Sequence, residues 1–244
     1  MHQRLFIEFP LQPGLELILP PGPTRHAQVR RVQPGDTLLL FDGQGSDWPA
    51  EVLRVGRSEV AVRLGAPVVV QRELPIHVAL ALGMPANDRM DTLVEKATEL
   101  GVAAIQPLVC ERSVLRLAGE RAERKRAHWQ AIAQAACEQS GRARVPRVAA
   151  VQTLAEWLTA LPAPPTAEIR LLLSLGPAAP PLRQRAASGG PAVVLSGPEG
   201  GLTPAEETLA LVAGFVATSM GPRVLRADTA PLAVLAWLGA QTGG

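Results

Sequence analysis

Ala192-Val193-Val194-Leu195-Ser196-Gly197-Pro198-Glu199-Gly200-Gly201-Leu202-Thr203-Pro204-Ala205-Glu206 is the stretch on which the fold turns. It reads as a strand, a glycine-rich loop and a helix start in succession. Ala192 to Leu195 is apolar and leads directly into Gly197 to Gly201. Thr203 and Glu206 then form a capping box, with Pro204 at the first helical position. Glycines at such a place let the backbone approach a ligand and present N–H groups to it. Open α/β sheets bind ligands outside the carboxyl ends of their strands, which is where this loop falls. It is neither a GxGxxG dinucleotide fingerprint nor a P-loop with its Lys-Ser/Thr, and Glu199 would repel a pyrophosphate. Taken alone it remains open between a ligand loop and an ordinary turn.

Downstream, a second loop of the same character follows the next strand. Met220-Gly221-Pro222-Arg223-Val224-Leu225-Arg226-Ala227-Asp228-Thr229 again combines glycine, proline and close-set arginine. The strand before it is expected over Gly214 to Met220, and a final helix from Thr229 to about Leu238. Upstream, Ile169 to Leu175 is a nearly continuous apolar strand, and Leu158 to Thr166 reads as a Pro- and Ala-rich loop. Ile76 to Leu82 and Ala103 to Val109 are two further strands. Between them a helix, N-capped at Asn87-Asp88, carries Met90, Leu93, Val94 and Ala97 on one face and ends at Gly101, its C′ residue. A second helix places Trp129, Ile132, Ala133 and Ala136 on one face. Apolar strands alternating with helices predict an α/β fold with a parallel sheet covered on both sides. The N-terminal region differs: Thr37 to Asp42, Pro49 to Val55 and Ser58 to Leu64 are short strands with glycine turns, preceded by a short helix over His26 to Val32. The chain therefore divides into a small β module, 1–72, and an α/β region, 73–244.

Of the 244 residues 47% are apolar and 19% charged, which excludes a disordered chain. The net charge of +2 says little, but its distribution says more. From Arg112 to Arg147 nine basic residues face only Glu120, Glu123 and Glu138. The block is a candidate phosphate footprint or a solvated helix face. Cys110 and Cys137 form neither a disulfide framework nor a metal cluster, and the four histidines are scattered, so no metal site is expected. Cys137 reads as a core residue, and Glu95 and Glu99 as helix-surface or interface residues. No stretch has the length and apolarity of a secretory signal or membrane span, so a cytoplasmic location is the expectation.

Six short matches in order give the chain a family resemblance. They are Arg4-Leu5-Phe6, Leu40-Phe41-Asp42-Gly43, Glu95-Lys96-Ala97-Thr98-Glu99-Leu100-Gly101, Glu138-Gln139-Ser140-Gly141-Arg142 with Val145-Pro146, the loop Gly197 to Gly201, and Gly221 to Arg226. With them the sequence resembles the ribosomal RNA small subunit methyltransferase E family of SPOUT methyltransferases, over essentially its whole length. That resemblance implies a PUA-like β-barrel joined to a domain with a C-terminal trefoil knot, and a homodimer with each active site near the subunit interface. It implies S-adenosylmethionine (SAM) as cofactor and methylation of uridine N3 in 16S rRNA, free or in the assembled small subunit. Matching positions imply a cofactor site from Leu173 and Ser174, then Ser196, Gly197, Glu199, Gly200 and Gly201, then Met220, Gly221, Leu225, Arg226 and Thr229. The chain departs from the family where Leu-Arg-Thr-Glu-Thr-Ala is usual: Ala227 lacks the hydroxyl, and Asp228 carries the acid on a shorter arm.

Methyl transfer from a sulfonium needs no metal, only a nucleophile held in line. Uracil N3 carries a proton at neutral pH, and a guanidinium beside O2 or O4 would favour its loss. Arg226 is the first candidate for that role and Arg4 the second, with Asp228 as base or as orienter of Arg226. The alternative for Arg226 is an ion pair with Asp228 that shapes the loop. Arg4, Arg112, Arg116, Arg142 and Arg144 are the candidate RNA contacts, with capping of the preceding helix an alternative at the turn containing Arg142. Three other classes remain in comparison. A non-catalytic RNA-binding protein leaves the paired glycine loops unexplained. An oxidoreductase would require GxGxxG after its first strand, and a structural ribosome factor would need no small-molecule pocket.

Overall fold

The computed structural model describes residues 3–86, 88–184 and 190–242. Asn87, half of the expected helix cap, lies outside the described residues. By contact the chain divides into two compact units, one of residues 1–73 with 134–145, the other of 74–133 with 146–244. A linear division at residue 72 assigns 134–145 to the α/β region, whereas these residues group with the N-terminal unit.

The N-terminal unit is a mostly antiparallel sheet of β1 (Arg4–Phe6), β2 (Glu16–Ile18), β3 (Thr37–Phe41), β4 (Ser46–Val55), β5 (Val60–Leu64) and β6 (Val68–Val69), with helix α1 (Pro21–Val29). The order is β1-β3-β4-β5-β2, β6 pairs with β4, and the β1–β3 pairing alone among these is parallel. Alternation in β3 and β5 sends Leu38, Leu40, Val60, Val62 and Leu64 into a core completed by Leu5, Ile7 and Trp48. Helix α1 starts five residues before the expected His26, because Pro21 suits a first turn that needs no N–H partner. Residues 134–145 add a polar layer to this unit. Glu138 accepts the Phe6 N–H at 2.8 Å, and the Arg142 guanidinium, 3% exposed, is ion-paired with Glu73.

The C-terminal unit contains β7 (Val78–Gly83), α2 (Asp88–Glu99), β8 (Ala104–Val109) and most of α3 (Gly119–Ser140). It continues with β9 (Arg147–Val148), β10 (Gln152–Thr153), α4 (Leu154–Ala160) and β11 (Ile169–Leu173), then β12 (Ala192–Ser196), α5 (Pro204–Val212), β13 (Val216–Thr218) and α6 (Thr229–Thr242). The strands form one parallel sheet in the order β10-β8-β7-β12-β11-β13, with β9 beside β8. This is the parallel sheet that the alternation of elements predicts. Met90, Leu93, Val94 and Ala97 of α2 are buried, and Gly101 takes φ +94° just beyond the helix end. The reading of Leu158 to Thr166 as a loop is corrected: α4 runs through Ala160. Its capping box, with Thr153 accepting the Glu156 N–H and Glu156 reaching back to the Thr153 N–H, starts a helix that the alanine and proline content obscures. Among the described residues no helix is long and apolar enough to cross a membrane.

Candidate functional site

The carboxyl ends of β11, β12 and β13 lie side by side, since β11 pairs with both of the others. The three loops that leave these ends enclose a cavity of about 630 Å³, within the range of small-molecule sites. Leu173, Ser174 and Leu175 come from the first loop and Ser196 to Leu202 from the second. Met220, Gly221, Leu225, Arg226 and Ala227 come from the third. The sequence-predicted cofactor residues are thus brought together here, except Thr229. That residue instead opens α6, its N–H donating to the Arg226 carbonyl at 3.0 Å.

The glycine loop is braced from two sides by the ends of neighbouring strands. Glu199 accepts the Ala86 N–H at 2.9 Å and pairs with Arg89, tying the loop to the chain beyond β7. Arg112, beyond β8, donates to the carbonyls of Gly200 at 3.0 Å and Leu202 at 3.4 Å. Buried Glu206 accepts from the Glu111 N–H and from the Thr203 N–H, both at 2.8 Å, so the helix cap is also a brace. Packing leaves no slack: a Cβ on Gly200 would lie 2.9 Å from Arg112 Cβ, and one on Gly83 only 2.7 Å from Pro198 N. Beneath the loop, Cys110 Sγ would lie 3.0 Å from that Gly83 Cβ, and burial pushes the Cys110 thiol up to about 12, with Glu206 adding to the effect.

The cavity is apolar on one part of its wall, through Leu173, Leu175, Met220, Val224 and Leu225, and hydroxyl-lined at Ser174, Ser196 and Thr218. Its charges are Arg89, Arg112, Arg223, Arg226, Glu199 and Glu207. Among the described residues the Arg226 side chain makes no ion pair or hydrogen bond. The alternative pairing of Arg226 with Asp228 is therefore not formed. Asp228 does not line the cavity, and its Oδ1 is buried without a hydrogen-bond partner.

The remaining predicted residues sit elsewhere. Arg4 belongs to the N-terminal unit, where its guanidinium binds Asp47, the carbonyls of Cys137 and Arg142, and the Phe41 ring face at 4.4 Å. Arg142 is buried in its pair with Glu73. Arg144 is exposed, with its guanidinium against Gly45. Arg116 is exposed and donates to the Glu111 carbonyl at 2.7 Å. Sequence reasoning missed Gly83, Arg89, Thr218 and Glu207. A glycine closing a strand at Gly83, ahead of Met84-Pro85, was the available signal for the first. Among the described residues no group of three His, Cys, Asp or Glu is placed to hold a metal.

Comparison with known proteins agrees with this architecture. Residues 72–239 match the family described as RNA methyltransferase domain, and residues 24–65 that described as RNA methyltransferase PUA domain. A Synechocystis sp. protein named Ribosomal RNA small subunit methyltransferase E is 35% identical over 214 residues, 87% of this chain and 69% of the relative. A Bacillus subtilis protein of the same name is 32% identical over 225 residues, 88% of this chain and 85% of that one. The crystal structure of Ribosomal RNA small subunit methyltransferase E from Neisseria gonorrhoeae, bound to S-adenosyl methionine, superposes with a TM-score of 0.90 at 34% identity, covering 99% of this chain and 98% of that chain. Identity of this order, over the length of both domains, leaves one conclusion: the chain belongs to the ribosomal RNA small subunit methyltransferase E family.

Proposed function

We propose that this protein transfers a methyl group from SAM to N3 of a uridine in 16S rRNA of the small ribosomal subunit. The observation that carries the reading is the braced cavity at three adjacent strand ends with an unpaired guanidinium, Arg226, in its wall. The lining fits SAM. Apolar side chains at Leu173, Met220 and Leu225 suit the faces of an adenine, the serine and threonine hydroxyls suit a ribose, and the arginines and glutamates suit a zwitterionic amino-acid tail. The bound cofactor supplies an electrophilic methyl group. The chain's own part is to hold the uracil in line and to favour loss of its N3 proton. Arg226 beside O2 or O4 stabilises the developing anion, at about 1.4 kcal/mol for each unit by which the uracil pKa falls. Asp228, two residues on and with its Oδ1 buried and unpartnered, is the acceptor we assign to the departing proton; it does not pair with Arg226. Arg4 has no place in this step, because its guanidinium is already committed to Asp47 and two carbonyls.

The active form in this reading is a cytoplasmic homodimer with the knotted C-terminal segment of its family. Helix α6 supports the dimer: it is apolar on every side, and Ala236 and Ala240 stay exposed with Trp237 half-buried, a face that one copy leaves uncovered. Two free, buried cysteines suit a reducing compartment. Calorimetry with SAM tests the pocket, and nucleoside mass spectrometry of rRNA from a deletion strain tests the product. Retained 3-methyluridine in that strain would remove the assignment of atom and base. Arg226→Ala is expected to bind SAM and lose turnover; unchanged turnover would remove Arg226 from the mechanism.

A further inference from the structure

A second, smaller cavity of about 240 Å³ lies beside the first, lined by Ala86, Val114, Leu115, Arg116 and Arg121. The two share a structural wall. Ala86, which lines the second, donates its N–H to Glu199 of the first. Arg116 holds the Glu111 carbonyl, while Glu111 N–H and Arg112 hold Glu206 and Gly200 of the glycine loop. The small cavity has room for several water-sized groups but not for a second cofactor.

Its chemistry is cationic and apolar together. Arg121 has no ion pair among the described residues. Arg116 spends one nitrogen, Nη2, on a carbonyl, and among the described residues no carboxylate pairs with it. Arg121 also stands in the first turn of α3, whose N-terminus adds positive partial charge. Glu120 in the same turn is the opposing charge nearest in sequence. Val114 lines the cavity beside these cations and is 77% exposed, so its side chain is open to pack against a ligand.

We propose that this cavity is a phosphodiester subsite for the RNA substrate. Arg116 and Arg121 bracket one backbone phosphate, and Val114 packs on the adjoining sugar or base. The inference rests on the RNA-methylating reading above and adds where the strand next to the target nucleotide is held. Two guanidiniums on one phosphate fix the register of the strand without reading its sequence, as phosphate contacts generally do. The shared wall then sets the distance from that phosphate to the methyl donor.

The test is the salt dependence of binding to a 16S rRNA transcript, measured by filter retention for wild type, Arg121→Gln and the double variant Arg116→Gln/Arg121→Gln. Losing one phosphate contact is expected to flatten the plot of log affinity against log salt by about one unit in the double variant. It should also raise the KM for RNA about tenfold, with kcat and SAM affinity unchanged. Arg121→Gln alone, at an exposed helix position, should show part of the same change, whatever Arg116→Gln does to the Glu111 carbonyl. An unchanged slope and KM in both variants would overturn the proposal. So would a parallel loss of SAM affinity, because the arginines would then be braces of the glycine loop. RNA retention needs no turnover, so an inactive wild type would count against the reaction and leave this comparison decisive.

Discussion

Replacing Gly83 by alanine tests whether the glycine loop is held in place by the sheet beneath it. The new Cβ would lie 2.6 Å from Pro198 Cδ and 2.7 Å from Pro198 N, with Cys110 Sγ at 3.0 Å. Ordinary contact at about 3.5 Å requires Pro198 to retreat by about 0.8 Å. The atoms in the way are a proline ring carbon and the backbone nitrogen to which it is bonded, so no rotamer change relieves the clash. Overpacking of this kind costs about 1–3 kcal/mol. In a chain of this size about 2 kcal/mol lowers Tm by roughly 4–8 °C. With the glycine loop in the cofactor-binding role proposed above, displacing it by nearly 1 Å further costs on the order of 100-fold in kcat/KM. Differential scanning calorimetry and SAM titration measure the two effects separately. Gly22→Ala is the control, since Gly22 lies in α1 with nothing within 4 Å of its Cβ position and should gain helix propensity of up to about 1 kcal/mol. A Gly83→Ala protein that melts with wild type refutes the steric reasoning. One that melts early but binds SAM and turns over normally refutes the link from β7 to the loop.

Three further outcomes are expected. Glu206→Ala removes a helix cap and leaves the Glu111 N–H unpaired, so it should cost about 2–3 kcal/mol in thermal unfolding, with Glu206→Gln recovering part of it. Burial raises the Glu138 carboxyl above its ordinary 4.5, so the folded state binds that proton more tightly than the unfolded chain does. Stability from this group therefore falls as pH rises from 4.5 through the raised value. Tm of Glu138→Gln relative to wild type should climb over the same window, and a pH-independent difference would contradict it. Cys110 and Cys137, pushed by burial to about 12 and about 11, should resist a thiolate-specific reagent at pH 8 until the protein unfolds; rapid native labelling of either would show the burial to be wrong.

The sheet and its loops were legible because their signals are local. Thr203 and Glu206 announce a helix within four residues, and the run from Ala192 to Leu195 announces a strand buried on both faces. Strand order was not legible: nothing within β11 says that β12 and β13 will flank it. Arg142 and Arg112 show where charge reading stops. Both belong to one basic block, yet one is buried against Glu73 and the other holds two loop carbonyls. The partners of these two lie dozens of residues away, so their roles are fixed by tertiary contact rather than spacing. Gly83 was missed for the same reason, because the proline that excludes a side chain there is 115 residues downstream.

The N-terminal unit is discontinuous, and this bears on the order in which the chain is made. Its sheet strands are complete once residue 69 has been synthesised, but Arg4, Phe6 and Glu73 still await partners between 137 and 142. At roughly 5–20 residues per second the ribosome takes several seconds to supply them. During that interval the β1 edge is without the Glu138 carboxylate that accepts the Phe6 N–H. The first domain to emerge thus stays incomplete until the middle of the chain has been made, and a fragment ending at residue 73 would reproduce the nascent intermediate rather than the mature unit.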